Sequence, residues 1–386
     1  MYEFSWLEPD FPLNYIYDLG TYFLLTLIFF YLHKIKVINS KLLLISIIFL
    51  FTPFFFNGLL FDWTFLPDQN KYVQTAEDFR SDFSSFYENE ENYTYAHLKI
   101  TLPSLFYAIS PIVSLETIKG IALWNRALFL FSWIFFAKKK YLNSFNSILF
   151  LMSPSLILYS SVSLRENLII LLMFWFIYFW YEKKKLLMIS VLIIISLIKP
   201  QNLFMIFLFF IFNKIFLKNK INFKFLILVI LSGLIIYFFL VDDLLLFINH
   251  LRKGFYLEQY GSYVSLSAPK IYKEISLDLS LESLILSIIG LLNFILSPIF
   301  KNNISLLTVI IFFEGLIITG YILLSFKLNY FKNKYIIMKW IIILIINFWI
   351  YSLIVFNEGT MHRYKTPMLF FIIFGYFANT RKLNLK

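Results

Sequence analysis

The stretch "SPSLILYSSVSLRENLIILLMFWFIYFW", residues 153–180, decides which kind of fold this chain adopts. One apolar run ends in a Ser- and Tyr-rich segment, Arg165 and Glu166 follow side by side, and a second apolar run resumes at once. Runs of this kind recur from end to end of the chain, and they are close to the length that crosses a bilayer as a helix. The pattern predicts an all-α fold, a polytopic membrane helix bundle.

The composition agrees with that prediction. Hydrophobic residues make up 60% of the 386 positions, and the mean hydropathy is +0.76. There is no cysteine, which excludes disulfides and thiol chemistry. The first residues are acidic rather than basic, so no cleavable signal peptide is expected. The net charge of +11 reports the orientation of a membrane protein rather than a nucleic-acid partner, and none is predicted.

Hydropathy predicts about ten or eleven crossings in one transmembrane domain that covers residues 1–386. The apolar segments lie near 16–33, 42–61, 118–136, 143–161, 165–181, 186–198, 202–215, 223–240, 304–326, 335–356 and 365–379. The pair 186–198 and 202–215 is short and is interrupted at Lys199 and Pro200. It forms either one Pro-kinked span or two short helices that enter and return, which membranes tolerate where such helices line a cavity.

Basic clusters assign the two sides of the membrane. The cytoplasmic clusters are "HKIK" (33–36), "AKKK" (137–140), "EKKK" (182–185), "KNK" (218–220), "FKNK" (331–334) and the tail "RKLNLK". Two extracytoplasmic segments are expected, at 62–117, which begins with many acidic residues, and at 241–303. The second contains the apolar stretch 283–299, which we expect to re-enter the membrane or to lie on its outer surface. The composition, rich in Phe, Ile, Lys and Asn, indicates a bacterial source, so the inner (plasma) membrane is the expected location.

Ionisable residues near or inside a bilayer are costly and therefore mark candidate functional sites. Asp68 follows an apolar run and is either a general base or metal ligand at the membrane surface, or part of a solvated Pro-Asp turn. Arg165 either holds a phosphate with help from Glu166, or both charges reach water at an ordinary helix turn. Lys199, at the helix break, either offers a cation to an anionic group or extends to the membrane surface.

Three basic residues, His362, Arg363 and Lys365, cluster on what should be the outer face. An anionic lipid headgroup or a pyrophosphate would explain a basic cluster there, and an error of one span in the topology is the alternative. Glu314 lies in the middle of an apolar run without a basic residue within one turn, so its partner is remote or it is protonated. Further candidates follow: Asp78, Arg80 and Arg126. Four scattered histidines predict no zinc site, and no cofactor is predicted, although a divalent metal stays an option.

Three short motifs resemble those of integral membrane glycosyltransferases of the GT-C class, the group around the protein O-mannosyltransferases and the lipid A aminoarabinose transferases. They are similar to motifs of uncharacterised bacterial members: "PD…Y", "PS…S…(K/R)E" and "GT…R…P". In this chain they are Pro67-Asp68 with Tyr72, Pro154-Ser155 with Ser161, Arg165 and Glu166, and Gly359-Thr360 with Arg363 and Pro367.

The resemblance implies transfer of a sugar from a polyprenyl-phosphate-linked donor to a glycan, lipid or protein acceptor on the outer face, in cell-surface glycan or lipid biosynthesis. It implies that Asp68 deprotonates the acceptor, and that Arg165, Lys199 and Arg363 stabilise the leaving lipid phosphate. The chain departs from the class in two ways. Two apolar segments precede the loop, and Gln69 stands where a second acid is usual, which makes Asp78 and Asp82 reserve candidates.

Two other functions fit the same sequence features. A polymerase of lipid-linked repeat units, or an O-antigen ligase-like enzyme, would use outer arginines without a catalytic aspartate. A transporter or flippase would use Arg165, Lys199 and Glu314 to line a pathway, although no inverted repeat is evident.

Overall fold

The computed structural model describes residues 12–56, 68–81, 95–110, 117–142, 144–217, 220–260, 276–296, 306–355 and 358–384. The chain divides into two compact units. The first is Met1–Leu203 with Thr380–Lys386, and the second is Phe204–Asn379. Helices account for almost all of the described residues, which confirms the all-α prediction for that part of the chain. The exception is a minimal antiparallel hairpin of strands β1 and β2, Phe216–Leu217 and Lys220–Ile221.

The first unit is organised around helix α6, Ile118–Lys138, which is buried around most of its circumference. The other helices are α1 Pro12–Lys34, α2 Ser40–Leu50, α3 Thr52–Phe56, α4 Asp68–Ser81, α5 Tyr95–Ala108, α7 Ser144–Met152, α8 Pro154–Ser160, α9 Glu166–Tyr181 and α10 Lys185–Ile198. Helix α6 contacts α1, α2, α3, α4, α7, α8 and α9. A helix that is apolar on all sides belongs in the interior, and α6 follows that rule.

The predicted span 143–161 is interrupted, because α7 ends at Met152 and α8 begins at Pro154. The Ser153 hydroxyl accepts a hydrogen bond from the Leu156 amide at 3.3 Å, so Ser153 caps the second helix. A proline in the first turn fits this start, since its missing N–H would have no helical partner there. The predicted span 42–61 is similarly divided between α2 and α3, and residues 57–61 lie outside the described part.

The second unit contains the longest helices. They are α11 Gln201–Ile215, which begins just before the boundary, α12 Phe223–Tyr260, α13 Leu281–Leu296, α14 Leu306–Ser352 and α15 Glu358–Asn384. Helix α14 runs without interruption from Leu306 to Ser352, across the gap between the predicted spans 304–326 and 335–356, so the turn expected at 331–334 is wrong. The physical reason is that residues 321–352 contain neither glycine nor proline, and lysines and asparagines alone do not reverse a chain. The two halves of α12, Phe223–Ile235 and Phe239–Gly254, meet at 72°.

Helix α13 covers residues 283–296 of the apolar stretch expected at 283–299, whose last three residues lie outside the described part, and it packs against α14. The Asp278 carboxylate precedes it and accepts hydrogen bonds from the Ser280 amide at 3.0 Å and the Ser283 hydroxyl at 2.7 Å. Hydrogen bonds from Ser280 and Ser283 hold the pKa of Asp278 at about 2. The ionised side chain therefore fixes the two serines at the start of the helix, where the Ser280 hydroxyl accepts a hydrogen bond from the Ser283 amide at 3.2 Å.

Three helical segments of the described chain are long and apolar enough to cross a membrane: Ile16–Lys34, Ile118–Lys138 and Tyr335–Ser352. The bent halves of α12 would make a fourth if they form one span. The count is lower than the predicted ten or eleven because several apolar segments are broken into helices of 10–17 residues. Large apolar side chains are nevertheless exposed on several helices, among them Leu186 on α10 and Phe239 on α12, at 82% and 80%.

Gly375 on α15 fits against the ring of Trp340, which is 1% exposed and packs on Phe209 and Phe371. A Cβ atom at Gly375 would lie 2.1 Å from Cη2 of that ring. We expect Gly375→Ala to lower the free energy of unfolding by roughly 1–3 kcal/mol, the usual cost of overpacking a core. Thermal unfolding of the detergent-solubilised protein measures this. Gly320→Ala is the control, because nothing lies within 4 Å of that position; equal behaviour of the two variants would contradict the account.

Candidate functional site

The α8–α9 connection, residues 161–165, is fixed in place by side chains of α5 and α6. The Asn125 amide nitrogen donates to the carbonyl oxygens of Val162 at 2.9 Å and Leu164 at 3.2 Å. The Tyr107 hydroxyl also donates to the Leu164 carbonyl, at 3.0 Å. Burial raises the pKa of the Tyr107 phenol above its ordinary value, so it remains a neutral donor. Buried carbonyls that have such partners form a rigid support for the residues that follow.

The start of α4 is attached to the same connection. Gln69 is buried, and its side-chain oxygen accepts a hydrogen bond from the Ser163 amide at 2.8 Å. The resemblance expects a second acid at position 69. The glutamine found there supplies a neutral oxygen that pairs with the Ser163 backbone amide. This hydrogen bond places Asp68, the preceding residue, next to the α8–α9 connection. The Asp68 side chain is 39% exposed and lies 3.9 Å from Nζ of Lys71, so its carboxylate is open to solvent.

Arg165 and Glu166 lie at the first turn of α9. The guanidinium Nη1 of Arg165 donates to the carbonyl oxygens of Lys99 at 2.8 Å and Ile198 at 3.5 Å. Its Nε is buried and makes no hydrogen bond to the described residues. Glu166 is fully buried in the first helical turn, where a carboxylate is favoured by the helix dipole. A buried donor on a permanent cation is costly unless an acceptor reaches it, so Arg165 is suited to bind an anion.

The break between α10 and α11 lies beside Arg165, because Ile198 accepts one of its hydrogen bonds. Lys199 follows and is 3% exposed, and Pro200 separates the two helices. The predicted interruption is therefore confirmed, and its lysine is buried near the arginine. Within the first unit the structure brings together Arg165, Glu166 and Lys199, and the Gln69–Ser163 hydrogen bond joins the start of α4, where Asp68 lies, to the same connection.

Two other candidates of the first unit hold helices together. The Arg80 guanidinium donates to the carbonyl oxygens of Ala108 at 3.1 Å and Ser110 at 3.0 Å, at the end of α5. Arg126 is fully buried, and it donates to the Phe49 carbonyl at 2.9 Å and to the Ser160 hydroxyl at 2.5 Å. Both arginines therefore have identifiable structural partners.

The last candidates of the first unit lie on or near α4. Asp78 is exposed on α4. Pro67 and Asp82 lie outside the described residues.

The basic cluster near the chain end belongs to the second unit and is described by itself. His362, Arg363 and Lys365 are half-buried on α15. The Lys365 ammonium donates to the Ile295 carbonyl at 2.7 Å and interacts electrostatically with Glu314, which is buried on α14. The remote partner expected for Glu314 is therefore Lys365.

Sequence reasoning missed Asp18, Tyr107 and Asn125. Asp18 is buried near the start of α1 and accepts a hydrogen bond from the Thr117 hydroxyl, which also caps α6. The role of Asn125 could have been suspected from the sequence, because the polar dipeptide Asn125-Arg126 lies inside an apolar run and polar residues there need partners. Nothing in the sequence marks Tyr107, whose acceptor at Leu164 lies 57 residues away.

We expect Asn125→Leu to destabilise the first unit by about 1–3 kcal/mol, the penalty for buried carbonyls that lose a donor. The Val162 carbonyl loses the donor described above, and the Asn167 amide nitrogen, which lies 2.9 Å from the Asn125 backbone oxygen, must accommodate a larger apolar neighbour. Thermal unfolding in detergent measures the loss. Ser190→Ala on exposed α10 is the control and should unfold like the wild type; unchanged unfolding of the Leu variant would show that Asn125 does not anchor the connection.

The structure offers no ready metal site in the part that it describes, where no group of three or more His, Cys, Asp or Glu side chains could hold an ion. Comparisons with protein-family models, with curated proteins and with solved structures find no match to this chain.

Proposed function

We propose that this chain is a polytopic integral membrane glycosyltransferase of the bacterial inner membrane. It would move a sugar from a polyprenyl-phosphate donor to a glycan, lipid or protein acceptor on the outer face. The observation that carries the proposal is the buried Nε donor of the half-buried Arg165, which makes no hydrogen bond to the described residues, beside a helix break that begins at the buried Lys199. A lipid phosphate would supply an acceptor oxygen to the Arg165 Nε, and its negative charge suits a guanidinium.

The membrane setting is supported by the surface of the helices. Leu186 and Phe239 represent many large apolar side chains that are exposed in both units. Exposed apolar surface on this scale is unfavourable in water and favourable against lipid tails. The three segments of membrane-spanning length and the broken apolar helices beside them agree with a bundle that lipid surrounds.

The proposed reaction uses Asp68 as the base. Its carboxylate takes the proton from the acceptor hydroxyl while the oxygen attacks the anomeric carbon of the sugar. The bond between that carbon and the phosphate oxygen breaks, and polyprenyl phosphate leaves with an added negative charge. Arg165 and Lys199 stabilise that charge, and the stabilisation is strong where water is scarce. The hydrogen bond between Gln69 and Ser163 supports this assignment because it joins the start of α4, where Asp68 lies, to the α8–α9 connection that ends at Arg165.

Glu166 and the second-unit cluster have secondary roles in the proposal. Glu166, buried next to Arg165, orients the guanidinium. His362, Arg363 and Lys365 bind an anionic headgroup of the surrounding lipid, separately from the Arg165 region. No divalent metal is required by this reaction, because the charge of the leaving phosphate is met by side chains.

A bond-cleavage assay tests the proposal. The purified protein is reconstituted in liposomes with polyprenyl-phosphate-linked hexoses or pentoses, and free polyprenyl phosphate is measured by mass spectrometry. We expect the wild type to release polyprenyl phosphate when an acceptor is present. Movement of intact donor across the bilayer without cleavage would instead show a flippase.

A repeat-unit polymerase or ligase is the second candidate, and one observation favours it. The Asp68 side chain is 39% exposed and lies 3.9 Å from Nζ of Lys71, the geometry of an ordinary surface ion pair. An enzyme of that kind needs no aspartate, so it would remain active after Asp68→Ala. Loss of transfer in that variant at normal expression would favour the glycosyltransferase.

A further inference from the structure

Three helices of the first unit are each followed by a lysine with a positive φ angle, a conformation that is uncommon for residues other than glycine. Lys36, Lys140 and Lys183 follow α1, α6 and α9 with φ angles of 57°, 58° and 60°, and they are the non-glycine residues with positive φ in the described chain. In each case the lysine amide bonds to the carbonyl three residues earlier, and the next amide bonds to the carbonyl five residues before it. This is the Schellman arrangement, in which glycine is the usual residue because it has no Cβ penalty. Each of the three lysines puts a cation just past a helix C-terminus, where the helix dipole favours positive charge.

The three helix ends form one surface. The Lys138 ammonium donates to the Val37 carbonyl at 2.7 Å, which joins the end of α6 to the α1–α2 link. The Tyr141 hydroxyl donates to the Glu182 carboxylate at 2.6 Å, which joins α6 to the end of α9. We call this surface the lysine face, and its exposed members are Lys34, Lys36, Lys138, Lys139, Lys140, Lys183, Lys184 and Lys185.

An apolar groove opens at the lysine face between the end of α1 and α6. Its volume is about 490 Å³, and its lining consists of Leu32, Val37, Phe131, Ile134, Phe135, Lys138 and Lys139. Nζ of Lys139 lies 6.0 Å from the centre of the Phe135 ring. An apolar groove with two ammonium groups matches an amphiphile that has a hydrocarbon chain and an anionic head.

We propose that this groove binds an anionic diacyl phospholipid. One acyl chain lies against Phe131, Ile134 and Phe135, and the phosphate contacts Lys138, Lys139 and Lys36. The groove lysines lie at the opposite end of α6 from Ile118, and Lys138 is 13 residues beyond Asn125, which holds the α8–α9 connection, a distance of about 20 Å along the helix at 1.5 Å per residue. The inference rests on the proposed membrane setting but not on the transferase activity.

The test counts the lipids that stay bound. The purified full chain is reconstituted in nanodiscs of phosphatidylglycerol and phosphatidylcholine, released into detergent, and examined by native mass spectrometry. We expect the wild type to retain phosphatidylglycerol in preference to phosphatidylcholine. The double variant Lys138→Gln/Lys139→Gln should retain at least tenfold less. The matched control Lys183→Gln/Lys184→Gln removes the same charge from the same face away from the groove and should retain as much as the wild type.

Two results would overturn the proposal. One is an absence of preference in the wild type, and the other is equal loss in both double variants, which would show general attraction to a charged surface. Val37→Trp fills the groove without changing the charge, and it should also abolish retention. Because retention is measured without substrate, an inactive protein that retains the lipid would contradict the proposed function alone.

Lys36, which has a left-handed backbone conformation, allows a second test of the lipid site. We expect Lys36→Gly to raise the Tm in a zwitterionic detergent, because glycine relieves the backbone conformation. The same variant should lose most of the rise in Tm that phosphatidylglycerol gives the wild type. A full phosphatidylglycerol response in Lys36→Gly would exclude Lys36 from the lipid contact.

Discussion

Asp68→Asn is expected to reduce sugar transfer by about 10²- to 10⁴-fold, the usual contribution of a general base. The change keeps the size of the side chain and its capacity to accept hydrogen bonds at the start of α4. The fold should be unaffected, because the pair with Lys71 is exposed and such pairs contribute roughly 0–1 kcal/mol. The measurement is the rate of polyprenyl phosphate release at saturating donor, together with the Tm of each preparation.

Asp78→Asn is the matched control for that prediction. Asp78 lies on the same helix and is exposed, but it is ten residues further along the chain. It should release polyprenyl phosphate at the wild-type rate. If Asp68→Asn is fully active and Asp78→Asn is not, the base is Asp78. If both are active, the chain needs no aspartate from α4 and the polymerase or ligase reading gains support.

Arg165→Gln is expected to lower kcat by about 10²- to 10³-fold, as does the loss of one group that stabilises developing charge. The glutamine amide can still donate toward the Lys99 carbonyl, which Arg165 contacts at 2.8 Å. The effect should appear mainly in kcat rather than KM, because the charge on the leaving phosphate increases in the transition state.

Arg165→Lys and Lys199→Gln complete the test of the cationic pair. Lysine keeps the charge at position 165 but not the fork of N–H donors, so we expect partial activity. Lys199→Gln should weaken transfer in the same direction as Arg165→Gln. Wild-type kcat in Arg165→Gln, at an unchanged Tm, would show that the arginine only supports the connection.

Much of the helical organisation could be predicted from the sequence. The apolar run that became α6 has the length and the flanking lysines of a single helix, and Pro200 marked the break after Lys199. The break before Pro154 was missed although a serine followed by proline is a common helix start. The turn at 331–334 was wrong because a basic cluster indicates the side of a membrane and does not by itself break a helix.

The candidate site was only partly accessible from the sequence. Arg165, Glu166 and Lys199 were found because charges inside apolar runs need an explanation. The residues that hold the α8–α9 connection in place were not found. The Asn125 amide donates to a carbonyl 37 residues away, and the Gln69 side-chain oxygen accepts from an amide 94 residues away. Such partners are fixed by how helices pack, and local periodicity carries no information about them.

Photochemical cross-linking tests most directly whether the donor phosphate binds at Arg165 and Lys199. A polyprenyl-phosphate-linked sugar that carries a diazirine on its first isoprene unit is added to the reconstituted protein and irradiated. Peptide mapping then locates the adducts. We predict adducts on residues 161–166 and 198–202, and their loss when unlabelled donor competes. Competable adducts confined to the second unit, or none in the first, would contradict the proposed site.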